Sequence, residues 1–364
     1  MHKFSLRKAL LVAGLGVLGL GTTAQDAFAQ RSSRSQQELR SDLHWWPVRK
    51  NLWMLVGAGA NIAASVGPDG VFLVNAGDAQ AGERVYAAIQ ELQTQLNSFG
   101  FLDIDTPPKG GSETRSRFPV NTHAPPKPIR YIVDTSPLDH NVGGNEFLAS
   151  KGVTYTGGNV AGTIADSAVG AAVLAHENVL VRMIAAGAPF AALPTETYFI
   201  KEYKLSTFFN DEGIRIIHIP NASTDGDSLV YFRGSDVIVA GDLFNMNSFP
   251  VIDVDAGGNI NGVIDGLNYI LDLAIPEFRT EGGTMVIPGE GRLADSADVG
   301  YYRDMLTIIR DTVQNLVERG MTLQQVLKER PTFGYEGRFG SDTGPWTTEM
   351  FIEAVYRSLA EAKN

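Results

Sequence analysis

Residues Val133-Asp-Thr-Ser-Pro-Leu-Asp-His-Asn-Val-Gly-Gly-Asn145 gather groups that can hold an ion or move a proton. Asp139 and His140 are adjacent, pairing a carboxylate with an imidazole, the side chain that titrates nearest neutral pH and a common metal ligand. The segment follows an apolar strand and precedes a helix, a place where ligand-binding groups commonly project. The chain contains no cysteine. There are therefore no disulfides and no thiolate ligands, and a metal site would have to be built from His, Asp, Glu or hydroxyls.

The elements that must position this loop can be read from periodicity. Asn51–Val56 and Asn61–Val66 read as strands, and Gly67-Pro-Asp-Gly70 is a turn into a third strand at 71–75. Val85, Ile89, Leu92 and Leu96 recur at helical spacing and predict a helix over 80–97. Residues 98–128 are rich in Pro, Gly, Ser and Thr and read as a surface insertion. A buried strand at 129–134 leads into the Asp139-His140 loop. Further on, 166–186 has helical character, and 195–200, 205–209 and 214–219 read as strands. Leu229–Phe232 and Asp236–Ala240 flank Arg233-Gly-Ser as a hairpin. Strands, then helix, then strand thus occur twice, which suggests two sheets packed face to face with helices outside. The last stretch is helical: Met305, Ile309, Val313 and Leu316 share a face, Gly320 terminates it, Thr322 with Gln325 forms a capping box, and a final helix spans 346–359.

Composition bounds the function. Hydrophobic residues at 44% with charged residues at 20% describe a water-soluble globular chain. A formal charge of −11 with no basic block argues against nucleic acid or anionic lipid as a partner, since both require Lys and Arg near phosphate. The first eight residues carry Lys3, Arg7 and Lys8. An apolar run from Ala9 to Leu20 and the small-residue site Ala27-Phe-Ala29 follow, which is a signal-peptide layout with cleavage after Ala29. The run is well short of the roughly 20 residues that span a bilayer. The expected organisation is a signal peptide at 1–29, a flexible polar leader at 30–42, a main domain at 43–298 and a helical extension at 299–364. The destination is periplasmic or secreted, with no membrane span in the mature chain.

The Asp139-His140 segment resembles the metal-binding loop of the metallo-β-lactamase superfamily, whose pattern is Thr-His-x-His-x-Asp-His-x-Gly-Gly-Asn. Thr135, Asp139, His140, Gly143, Gly144 and Asn145 match, whereas Ser136 and Leu138 replace the two leading histidines. His218-Ile-Pro-Asn-Ala-Ser-Thr-Asp-Gly-Asp resembles the next motif, with Ser223 at the histidine position. Gly241-Asp242 matches the strand end bearing the bridging aspartate, and Ile287-Pro-Gly-Glu-Gly291 matches Pro-Gly-His-Gly with Glu290 in place of histidine. Asn75 stands where the family usually has aspartate. The motifs keep the family's order from about Asn61 to Gly291, and the fold implied is a four-layer αββα sandwich with a helical C-terminal extension.

The resemblance also implies a changed site. The three histidines that hold the family's first metal correspond to Ser136, Leu138 and Ser223. Leucine has no donor atom and a neutral hydroxyl is a poor ligand, so that site is lost and a dinuclear zinc mechanism is not expected. The second position corresponds to Asp139, His140, Asp242 and Glu290. A single divalent ion there could activate water for hydrolysis, with Asp139 put forward as the catalytic residue. Three carboxylates with one imidazole suit manganese or iron at least as well as zinc, and magnesium or calcium also match oxygen ligands. The alternative is that one acid is protonated or turned outward onto the loops. Serine catalysis by Ser136 or Ser223 with His140 and Asp139 is a weaker reading, because serine commonly replaces a ligand as a small hydrogen-bonding filler. His176 and His218 lie outside the ligand positions and read as structural. His44, Trp45 and Trp46 read as packing at the start of the domain, and His123 as loop surface. No organic cofactor is expected. Two functions follow: a hydrolase-like protein with at most one metal and weak or altered activity on a small molecule, or a non-catalytic protein that uses the same cleft to bind a ligand or partner.

Overall fold

The computed structural model describes residues 43–98, 126–154, 170–205, 208–274 and 283–361. The expected signal peptide, the leader and nearly all of the 98–128 insertion lie outside the described residues. Strands β1 (His44–Arg49), β2 (Leu52–Ala58), β3 (Ala60–Gly67) and β4 (Gly70–Val74) form an antiparallel run. Helix α1 (Gly82–Ser98) then crosses to β5 (Ile129–Val133), which lies parallel to β4. Two short helices, α2 (Asp139–Val142) and α3 (Asn145–Ser150), precede β6 (Ala172–His176). Helix α4 (Glu177–Ala185) leads to β7 (Glu196–Tyr198), which completes a seven-stranded sheet in sequential order.

The second sheet has the order β13-β12-β11-β10-β9-β8. It contains β8 (Glu202–Lys204), β9 (Ile214–His218), β10 (Ser228–Phe232) and β11 (Val237–Asn245), then crosses through α5 (Ile260–Leu273) to the parallel strand β12 (Met285–Glu290) and to β13 (Ala294–Asp295). Helices α6 (Ser296–Glu318), α7 (Leu323–Glu329), α8 (Glu336–Phe339) and α9 (Thr348–Glu361) follow.

Strand periodicity explains why these elements stack in four layers. On β4, Phe72 and Val74 face one way and pack with Tyr131 and Leu174 against Ile216, Val230, Phe232 and Val239 of the other sheet. Their neighbours Val71 and Leu73 face the opposite way and pack with Val85, Ile89, Leu92 and Leu96 of α1. Burying each of those four helix side chains is worth about 1.5–3 kcal/mol. The outer face of the second sheet, through Ile217, Leu229, Ile238 and Val286, packs on α5, α6 and α9. The result is the expected αββα sandwich with helices at its C-terminal end.

Several local signals appear as the sequence implies. Gly320 has φ +76 and ends α6, and the Thr322 N–H donates to Gln325 Oε1 at 2.8 Å in the capping box that starts α7. Other expectations are corrected. His44, Trp45 and Trp46, expected as packing at the start of the domain, lie in a strand paired with β2, and Trp45 does pack against the core there. Within the stretch read as helical, Ala172–His176 is a strand buried on both faces, and the helix begins only at Glu177. The strand expected at 205–209 forms earlier, at Glu202–Lys204, where its partner in β9 lies. Among the described residues, no helix is long and apolar enough to cross a membrane.

Candidate functional site

The site lies where β4, β5 and β11 end together. Asn75, just past β4, adopts φ +67, and its Oδ1 accepts hydrogen bonds from the Thr135 N–H (3.0 Å) and the Thr135 hydroxyl (2.9 Å). This fixes the chain immediately before Ser136. From the other sheet, Gly241 has φ +53 at an irregular point in the β11–β12 pairing. A Cβ there would lie 2.5 Å from Thr135 Oγ1, so only glycine lets β11 approach this closely. That approach brings Asp242 against the Asp139-His140 loop.

Asp242 is buried and accepts hydrogen bonds at both carboxylate oxygens. The Ser136 hydroxyl donates to Oδ2 at 2.7 Å, Asn141 Nδ2 donates to the same oxygen at 2.5 Å, and His140 Nε2 lies 2.7 Å from Oδ1. Asn141 also donates to Ser136 Oγ at 2.8 Å, and the Leu138 N–H reaches the same hydroxyl at 3.3 Å. Ser136 and Asn141 are fully buried, whereas His140 is 33% exposed. The carboxylate beside it, helped by the hydrogen bond to Asp242 and by the charges of Glu290 and Asp78, raises the His140 pKa to about 9 against the opposing effect of burial. Burial alone would raise the pKa of Asp242. The charge and hydrogen bond of His140, with those from Ser136 and Asn141, outweigh it and hold Asp242 below the usual carboxylate range. At neutral pH the pair is imidazolium and carboxylate.

The residues singled out in the sequence are thus distributed unequally. His140 and Asp242 are in contact, and Glu290, exposed at the end of β12, acts on His140 through its charge. Asp139 is exposed at the first turn of α2. Ser223 is buried, and its hydroxyl reaches only the Asp242 backbone carbonyl, at 3.5 Å. Leu138 is the N-cap residue of α2. A serine triad needs the imidazole between hydroxyl and carboxylate. Here Asp242 sits between Ser136 and His140, so that order is not met. Sequence reasoning missed Asn141 and Asp78. Asn141 stands inside the quoted motif and Asp78 three residues past Asn75, but only the fold brings either to the site.

Supporting contacts hold the loop in place. The Gly144 N–H donates to the Gly77 carbonyl at 2.9 Å, and a Cβ on Gly144 would come within 2.3 Å of the Ala76 oxygen. Asn145 Nδ2 donates to Asp134 Oδ2 at 2.8 Å, and burial raises the Asp134 pKa to about 8 despite that bond. Beside the loop, His176 and His218 stack with ring centroids 3.7 Å apart, one from each sheet. The Asn178 N–H donates to His176 Nδ1, and His218 Nδ1 lies 3.1 Å from the Asp227 carbonyl. Burial and the neighbouring ring lower the His176 pKa to about 4.

No protein-family model matches the chain, and no curated protein matches it in sequence. Among solved structures it is similar to the stereoselective inverting sec-alkylsulfatase Pisa1 from Pseudomonas sp., at a TM-score of 0.57 and 14% identity over 88% of this chain. The chain spans about half of that protein, 51% of its length. The protein has the metallo-β-lactamase fold. A metallo-β-lactamase from Pontibacter korlensis (TM-score 0.48, 12% identity, 73% of this chain and 99% of that one) and the DIM-1 metallo-β-lactamase (0.47, 12%, 73% and 97%) are similar as well.

A metal of this fold would need several donors aimed at one point. Among the described residues, no three His, Asp or Glu side chains come close enough together to hold an ion. The oxygens of Asp242 are engaged by Ser136, Asn141 and His140, and the Ser136 hydroxyl accepts two further hydrogen bonds of its own. In this arrangement the residues do not fit a metal ion. A protonated imidazole supplies the counter-charge that Asp242 needs, and two neutral donors add hydrogen bonds.

Proposed function

We propose that this is an exported protein whose metallo-β-lactamase-type cleft binds a small molecule without a metal ion and without hydrolysing it. The observation that carries the reading is the engagement of Asp242 by three donors: both oxygens accept hydrogen bonds, two of the donors are fully buried, and one of them, Ser136, stands where the resemblance implies a ligand histidine. Three of the roughly four lone-pair sites of the carboxylate are taken, and turning it toward an ion would break charge-assisted bonds worth about 1.5–3 kcal/mol each. Export rests on the charged, apolar and small-residue layout of residues 1–29.

A second reading, a single-metal hydrolase, is favoured by one observation. The carboxylates of Glu290 and Asp78 act on His140 through their charge together with Asp242, so the imidazole sits in a negative field. An ion displacing the His140 proton would relieve them. Metal analysis of the purified mature protein after loading with zinc or manganese, beside an Asp139→Ala plus Glu290→Ala variant, separates the two. Binding without metal predicts no stoichiometric ion in either protein. One ion per chain, removed by the double substitution, would establish the single-metal reading instead.

A further inference from the structure

The C-terminal helices place an arginine beside the strand end that carries Glu290. Arg338, on α8, is exposed, yet it is held on three sides. Its guanidinium lies over the Phe339 ring, 4.8 Å from the centroid, and over the Tyr301 ring at 5.6 Å. Its Nε donates to the Met246 carbonyl at 3.4 Å. Phe339 is itself buried against Phe249 and Tyr302, and the Phe249 N–H donates to the Phe339 carbonyl, so this ring of the platform is part of the core, whereas Tyr301 is exposed. Met246 lies one residue beyond the Asn245–Glu290 pair, and its N–H donates to the Glu290 carbonyl at 3.0 Å. The guanidinium is therefore anchored to the strand end that carries Glu290, whose charge reaches His140.

The chemistry of this placement is unusual for so acidic a chain. Arg292, Arg330 and Arg357 in the same C-terminal part each grip a carboxylate, from Asp298, Glu336 and Asp255. Among the described residues, Arg338 has no such ion pair, and its two terminal nitrogens make no hydrogen bond. A free arginine loses much rotamer freedom when it binds, whereas one already clamped by two rings and a carbonyl keeps its planar fork ready. That fork matches the oxygen spacing of a carboxylate, phosphate or sulfate.

We propose that Arg338 is the anion-recognition residue of the cleft, and that the ligand is a small molecule bearing an oxyanion gripped by Nη1 and Nη2. The inference rests on the binding-protein reading above and adds the class of ligand.

The test is an NMR titration of the arginine side-chain signals of the mature protein with inorganic phosphate, and separately with acetate, at constant ionic strength. The expected result is a saturable shift of the Arg338 signal. The apparent affinity should weaken at least about tenfold in Arg338→Lys, which keeps the charge but loses the fork, and the saturable response of the remaining cleft signals should vanish in Arg338→Ala. Arg233→Ala, in the basic groove beside Lys204 and Arg215 at the far end of the second sheet, should change nothing. No saturable response up to about 50 mM of either anion, well beyond a millimolar site, would overturn the proposal. So would binding that survives Arg338→Ala and disappears in Arg233→Ala. Melting curves of both variants establish that they fold. Zinc content measured on the same samples keeps the two ideas apart: stoichiometric zinc with Arg338-dependent anion binding sinks the metal-free reading and leaves this one standing.

Discussion

Replacing Asp242 with alanine in metal-free protein should destabilise the fold by about 3–5 kcal/mol, the range for removing one partner of a buried charge pair. The structure sets the size. The substitution leaves the Ser136 hydroxyl, Asn141 Nδ2 and His140 Nε2 without their common acceptor, and the first two side chains are fully buried. Hydrogen bonds to a charged group contribute about 1.5–3 kcal/mol each. Against the sum stand the several kcal/mol released by no longer burying a carboxylate, and the surviving bond from Asn141 to Ser136. With a urea dependence near 3 kcal/mol per molar, the midpoint should fall by about 1–1.7 M. Wild type and Asp242→Ala are compared in urea with EDTA present, followed by circular dichroism. An unchanged or higher midpoint would refute the reasoning, because carboxylates kept only to await an ion repel one another in its absence and their removal stabilises.

Two further outcomes follow from the same geometry. The His176 pKa is about 4 in the fold against 6.5 for the free side chain. The stability gained by keeping it neutral is thus full above pH 6.5 and is lost as pH falls toward 4, by up to roughly 3 kcal/mol. Urea midpoints between pH 7 and 4 should drop less steeply in His176→Phe, and equal slopes would contradict this. Gly144→Ala places a Cβ 2.3 Å from the Ala76 oxygen, a backbone atom with little room to move. It should lower stability by at least about 2 kcal/mol through forced backbone displacement, read as a drop in melting temperature. A neutral effect would mean that the Asp139-His140 loop is less tightly seated than described.

Much of the fold was legible because its outer elements show clean periods. The 85, 89, 92, 96 stripe of α1 and the Thr322–Gln325 cap both form. Ala172–His176 was misread because a central parallel strand is buried on both faces and carries no alternation, and alanine favours helix when nothing else speaks. In the site, the motif residues His140 and Asp242 do meet. What the sequence could not convey is that Asn141 turns inward while Asp139 points out, since that depends on where the first turn of α2 begins. The nearness of Asp78 and the seating of Arg338 likewise depend on contacts between elements far apart in the chain.

The most direct test of a cleft that works without metal is a crystal structure grown with zinc, measured on both sides of the zinc absorption edge. No anomalous peak should lie between His140 and Asp242, and the hydrogen bonds of Asp242 to Ser136, Asn141 and His140 should remain. A strong peak within bonding distance of His140 Nε2 and an Asp242 oxygen, with Ser136 swung away, would contradict the account.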